Sequence, residues 1–123
     1  MKVYTAGSRF FGGQVDRIDE GFRQLGHELT PYPHEADLIY ANDPGDFEQI
    51  VVDREADRLR GKVVFNVLYV PVRLPDFDLP RLTRQLRSAD AVTCISRYTR
   101  EQVSQHCGIE PAVIWNPIKP VFR

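Results

Sequence analysis

The chain has 123 residues, 42% of them apolar, and its 16 basic and 17 acidic side chains leave a formal net charge of -1. That length suits one domain with a real core, and the charge balance argues against nucleic acid or an anionic membrane surface as a partner. The start lacks the apolar core of a signal peptide. The longest apolar run, 63–72, is broken by Asn66 and Pro71 and is too short to span a bilayer. Cys94 and Cys107 make neither a disulfide framework nor a metal-ligand spacing, so a reducing, cytoplasmic setting is expected, with no integral membrane segment, metal or cofactor.

The first thirty residues read as strand, glycine loop, helix, turn and strand. Residues 2–5 are a short strand-forming run that ends in breakers. Gly7, Gly12 and Gly13 form a loop able to bring bare backbone close to a ligand. Val15, Ile18, Phe22 and Leu25 then recur at helical spacing among charged residues. Gly26 stands where a helix-terminating glycine belongs, and residues 28–30 resume an extended run stopped by Pro31 and Pro33. This predicts a β-α-β unit with parallel strands and a right-handed crossover. A glycine loop at a helix N-terminus favours an anion such as phosphate, but a tight turn also explains the glycines. The dinucleotide fingerprint G-x-G-x-x-G and the Lys-Ser/Thr of an ATP-binding loop are both missing.

Residues 36–41 (ADLIYA) fit a strand buried on both faces, broken by the sequence Asn42-Asp43-Pro44-Gly45. Asp46, with Gln49 three residues on, suits a helix cap. Phe47, Ile50, Val51 and Leu59 mark that helix, and Gly61 is expected to close it. Residues 62–69 (KVVFNVLY) are the strongest strand candidate. Pro80 suits the first turn of the next helix, with Leu79, Leu82, Leu86 and Ala89 as its apolar stripe. Residues 91–95 form another buried strand. Ser96 caps a helix whose inner face is expected to carry Tyr98, Val103 and Cys107, with Gly108 at its end. Residues 112–115 are a last short strand.

Six short strands alternating with helices imply an α/β fold: a three-layer, Rossmann-like domain with a mainly parallel sheet. Ligands of such sheets sit outside the carboxyl ends of the strands. That rule selects Gly12, Gly13, Asn42, Asp43, Tyr69, Arg73, Ser96, Arg97 and Asn116 as candidate substrate-binding residues. Arg97 has the geometry to pair with phosphate or simply be solvated. Asp43 and Asp46 suit contacts to a polar ligand or a turn, and Trp115 suits stacking on a ligand ring or the core. His27 reads as structural, His34 and His106 as surface residues.

Three stretches also resemble a family. GGQVDRIDEGFRQLGHELT, with Gly12-Gly13 opening the helix and Gly26-His27-Glu28 after it, looks like the amino-terminal signature of GT-B glycosyltransferases, in the large retaining group that includes sucrose synthases and bacterial glycan-building enzymes. ADAVTCISRYTREQV resembles that group's strand-Ser-helix stretch, and PAVIWNPIKPVF its Asn-containing turn before the interdomain linker. The resemblance implies that residues 1–123 are one half of a GT-B architecture, the acceptor-side Rossmann-like domain. A carboxy-terminal domain that binds the nucleotide-sugar donor is expected to be absent from this chain and supplied by a missing second domain or a partner chain, leaving the isolated chain inactive. The acceptor would be a sugar or a lipid- or protein-linked group. The His that many members carry near the end of the fourth strand is missing, since Asn66-Val67-Leu68-Tyr69 stands there, so no catalytic base is assigned. The alternative is a free-standing Rossmann-like module that binds a nucleotide or small ligand without transferase activity.

Overall fold

The computed structural model describes residues 1–6, 14–42, 44–68 and 70–114. Six strands, β1 (Lys2–Ala6), β2 (Glu28–Leu29), β3 (Leu38–Ala41), β4 (Lys62–Val67), β5 (Ala91–Cys94) and β6 (Ala112–Val113), form one sheet in the order β2-β1-β3-β4-β5-β6. Every pairing is parallel. Among the described residues four helices accompany them: α1 (Gln14–Gln24), α2 (Pro44–Glu55), α3 (Leu79–Ser88) and α4 (Arg97–Cys107). The expected α/β, Rossmann-like architecture is therefore present. The alternation of strand and helix fails at one point, because β2 and β3 are joined by a single 3-10 turn, Pro33–Glu35.

The strand order dictates the layers. From β1 to β2 the chain steps one way along the sheet, and from β3 to β6 it steps the other way. Right-handed crossovers in opposite directions place their helices on opposite faces. The packing agrees: the Phe22 ring of α1 meets Tyr40 edge-on at 6.3 Å, while Phe47 of α2 stacks on Phe65 at 4.2 Å. Tyr40 pairs in register with Val64, the neighbour of Phe65, so these two contacts lie on opposite faces. Helix α3 packs between α2 and α4. The main core is the α2–α4 face, where Ile39, Ala41, Val63, Phe65 and Val67 meet Phe47, Ile50, Leu82, Leu86 and Val103. Burial of each large side chain there contributes about 1.5–3 kcal/mol.

Local chemistry sets the helix ends. Helix α1 stops in a hydrogen-bonded turn, with Gly26 N–H donating to Arg23 O and His27 N–H to Phe22 O, and Gly26 at φ 87°. Leu25, expected on the inner stripe, lies one residue past this helix and is 74% exposed. Helix α2 begins at Pro44, so Asp46 stands inside the first turn and is not the cap. It ends at Glu55, six residues before Gly61. Asp57, with φ 60°, occupies the left-handed position instead, with Asp57 N–H donating to Arg54 O and Arg58 N–H to Asp53 O. Gly61 permits a close approach between two strands. A Cβ there would stand 2.5 Å from Ala36 O and 2.7 Å from Asp37 O, where the chain enters β4 against the start of β3. Asp78 caps α3 and Ser96 caps α4, and Gly108 closes α4 at φ 67°. Val103 and Cys107 face inward as expected, but Tyr98 is 69% exposed.

Candidate functional site

In an open parallel sheet the crevice for a ligand lies where the strand order reverses, at the carboxyl ends. Here the reversal falls between β1 and β3. Asn42 N–H donates to Ala6 O at 3.0 Å and extends the pairing one residue past both strands. Asn42 is 3% exposed, and its side chain lies on the α1 face within a row of polar groups. Asn66 Nδ2 donates to Asn42 Oδ1 at 3.0 Å, and Thr93 Oγ1 donates to Asn66 Oδ1 at 2.8 Å. These residues are successive cross-strand neighbours near the carboxyl ends of β3, β4 and β5. Tyr40 hydrogen-bonds Thr93; burial pushes its phenol pKa up, and this hydrogen bond opposes the rise. A continuous polar seam thus crosses a face that would otherwise be aliphatic, and mutual pairing offsets the cost of burying it.

A second feature lies on the other side of β1. Strand β2 is only two residues long, so the upper half of β1 loses its neighbour beyond Leu29. The resulting notch is an open cleft of about 480 Å³. Thr5, Asp19, Arg23, Thr30, Pro31 and Asp46 line it. Asp19 of α1 is 6% exposed and accepts a hydrogen bond from Thr5 Oγ1. Neither Asp19 nor Thr5 is selected by reading loops after strands. The signal for Asp19 is an acidic residue one position after Ile18, close to the stripe that faces the sheet.

The candidate residues divide by position. Gly12, Gly13, Asp43, Tyr69 and Asn116 lie outside the described residues, as does Trp115. Asn42 is in place at the reversal, but its side chain is turned into the polar seam. Arg73 is exposed on the loop after β4. Ser96 Oγ accepts from Thr99 N–H at 3.1 Å, so the hydroxyl serves the helix cap. Arg97, exposed at the start of α4, lines an open groove along that helix with Glu101 and Gln105. Among the described residues, exposed apolar side chains on the carboxyl rim include Val72 (39%), Leu74 (57%) and Tyr98. Both cysteines are buried and free, and burial raises the Cys94 thiol pKa. Among the described residues no three His, Cys, Asp or Glu side chains come together as a metal site, and no helix is long and apolar enough to cross a membrane.

Fold and site together define a Rossmann-like α/β domain with a strand-order reversal flanked by polar groups. Compared with family models, with curated proteins and with solved structures, the chain matches none.

Proposed function

We propose that this chain is the acceptor-side domain of a glycosyltransferase that moves a sugar from a nucleotide-sugar donor to an acceptor, and that it is incomplete on its own. The carrying observation is the exposed apolar trio Val72, Leu74 and Tyr98 on the carboxyl rim. Exposed apolar groups of this kind suit a docking face, and a donor-binding domain facing this one across a cleft would cover that rim. The all-parallel sheet is the architecture that the three glycosyltransferase-like stretches require. In this reading Arg73 and Arg97 face the cleft from the loops after β4 and β5, and the nucleotide is held by the other half.

The reversal between β1 and β3 favours the second reading, a free-standing module with its own nucleotide or small-ligand site beside Asn42. Thermal-shift and calorimetric titration of the chain against UDP, GDP and their sugar conjugates separates the two. A folded protein that none of them stabilises is the expected result. Clear stabilisation by a nucleotide would put the free-standing module first.

A further inference from the structure

We infer that the groove between α3 and α4, on the outer side of the helical layer, binds a small organic monocarboxylate with an apolar tail. Leu82, Gln85 and Leu86 of α3 are buried, whereas Pro80, Arg84 and Arg87 are exposed. The outer side of α3 and the last turn of α4 bound an open groove of about 470 Å³, lined by Leu79, Pro80, Thr83, Arg84, Arg87 and His106. That volume falls among those of small-molecule sites, about 300–1,000 Å³. Residues 70–114 are all described, so both helices and the loops beside them are accounted for.

The groove is graded along its length. Leu79 and Pro80 stand in the first turn of α3. Arg84 and Arg87 follow about 6 Å and about 10 Å beyond Pro80. His106 joins the cationic end from the last turn of α4. Arg87 reaches the same helix, with Nη2 at 3.8 Å from where a Cβ on Gly108 would stand. Among the described residues no carboxylate lines this groove, and Glu101 of α4 lies along the groove on that helix's other side. Thr83 Oγ1 donates its proton to Leu79 O at 2.9 Å. The cationic end therefore offers donors, two guanidiniums and a ring N–H, with few acceptors for the protons of a neutral polyol.

Arg87 is the group left over. Arg81 and Arg84 of the same helix both pair with Glu48 at 3.3 Å, and Arg100 of α4 pairs with Glu110 at 3.4 Å. Among the described residues Arg87 and His106 have no hydrogen-bond or ion-pair partner. Both stand in last turns, where they offset the negative helix ends, but each end carries only about half a charge. Against the two ends stand Arg87 and the one cation left by Arg81, Arg84 and Glu48. The balance is about one positive charge before His106 protonates, which matches a monoanion better than a phosphate dianion.

The test is amide chemical-shift mapping of the ¹⁵N-labelled chain with hexanoate, acetate, hexanamide and, separately, inorganic phosphate. The expected result is saturable movement of the Thr83, Arg84, Arg87 and His106 amides with hexanoate, at a Kd of about 1 mM. Acetate binds about tenfold more weakly, because its methyl leaves Leu79 and Pro80 uncovered. The Arg73 and Arg97 amides stay still. Arg87→Ala removes an exposed, unpaired side chain and weakens hexanoate binding about tenfold, the effect of one charged hydrogen bond. Arg87→Lys restores part of the loss, since it keeps the charge without the planar fork. An equal response to hexanamide, tighter binding of phosphate than of hexanoate, shifts confined to Arg97, parental binding by Arg87→Ala, or no shifts in a folded protein would overturn the inference. Nucleotide titration reads the carboxyl ends of the sheet, so the glycosyltransferase reading and this groove can fail independently.

Discussion

Asn66 shows how one residue can serve both stability and position. It sits at 1% exposure in a strand of Val and Phe, and both ends of its amide are used, by Asn42 and Thr93. Asn66→Ala leaves two buried groups without their partner and is expected to cost about 2–3 kcal/mol, read as a lower midpoint in urea unfolding. Thr93→Val in the same background should then cost less than it does alone, because the two share one network. Asp90 acts at the opposite end of the sheet. Its carboxyl accepts from Arg54 Nη2 at 2.9 Å and from Val63 N–H at 2.8 Å. The hydrogen bond from Arg54 is the largest cause holding its pKa below the usual value; burial opposes it and Val63 N–H adds to it. A depressed carboxyl pKa contributes stability that is fully present above the unfolded value of about 4 and is lost as pH falls through the folded value. Asp90→Asn should therefore lower stability at pH 7 and flatten its decline below about pH 4 in a pH series of unfolding curves.

At the scale of the element, two positions near the α2–β4 connection predict opposite outcomes for opposite exchanges. Asp57 holds a left-handed conformation that costs any residue with a Cβ, and its partial tolerance comes from a short polar side chain. Asp57→Gly should raise stability by about 0.5–1 kcal/mol. Gly61 is held by contact and not by φ: a Cβ would run into the backbone of Ala36 and Asp37, which cannot move without breaking the Lys62 N–H bond to Asp37 O at 3.0 Å. Gly61→Ala should cost about 1–3 kcal/mol. Thermal unfolding of the two variants beside the parent protein checks both signs. From sequence, Gly61 is the natural choice for the helix end, because glycine takes up the left-handed conformation far more readily than Asp.

For the whole molecule, the sheet predicts its own order of opening. β3 and β4 have a strand on either side and carry most of the core, whereas β2 and β6 are two-residue edges. Native-state hydrogen exchange should find the slowest amides in β3 and β4, such as Ile39 and Phe65, exchanging only by global opening, while those of β2 and β6 exchange by local fraying. Amides of β4 exchanging as fast as those of β2 would contradict a single cooperative core. The same asymmetry bears on function. The rim loops and the α3–α4 groove lie at the ends and surface of this rigid centre, where binding groups are held by a stable scaffold without being part of its packing.

Periodicity and breakers carry most of the fold. The apolar runs of β3, β4 and β5 and the stripes of α3 and α4 are local patterns, and local pattern sets which face of an element is buried. The alternation of elements also foretells the parallel sheet, and with it the rim where Asn42, Arg73, Ser96 and Arg97 are sought. Leu25 and Tyr98 escape that reading: Leu25 lies one residue past the end of α1, and Tyr98 stands one position, about 100° of helix rotation, before Thr99 in the buried stripe Thr99, Val103 and Cys107. The strand order, the helix-free passage from β2 to β3, the seam through Asn66 and Thr93, and the notch at Thr5 and Asp19 come only from tertiary structure. Each depends on which strands become neighbours and in what register, and those pairings join residues far apart in the chain.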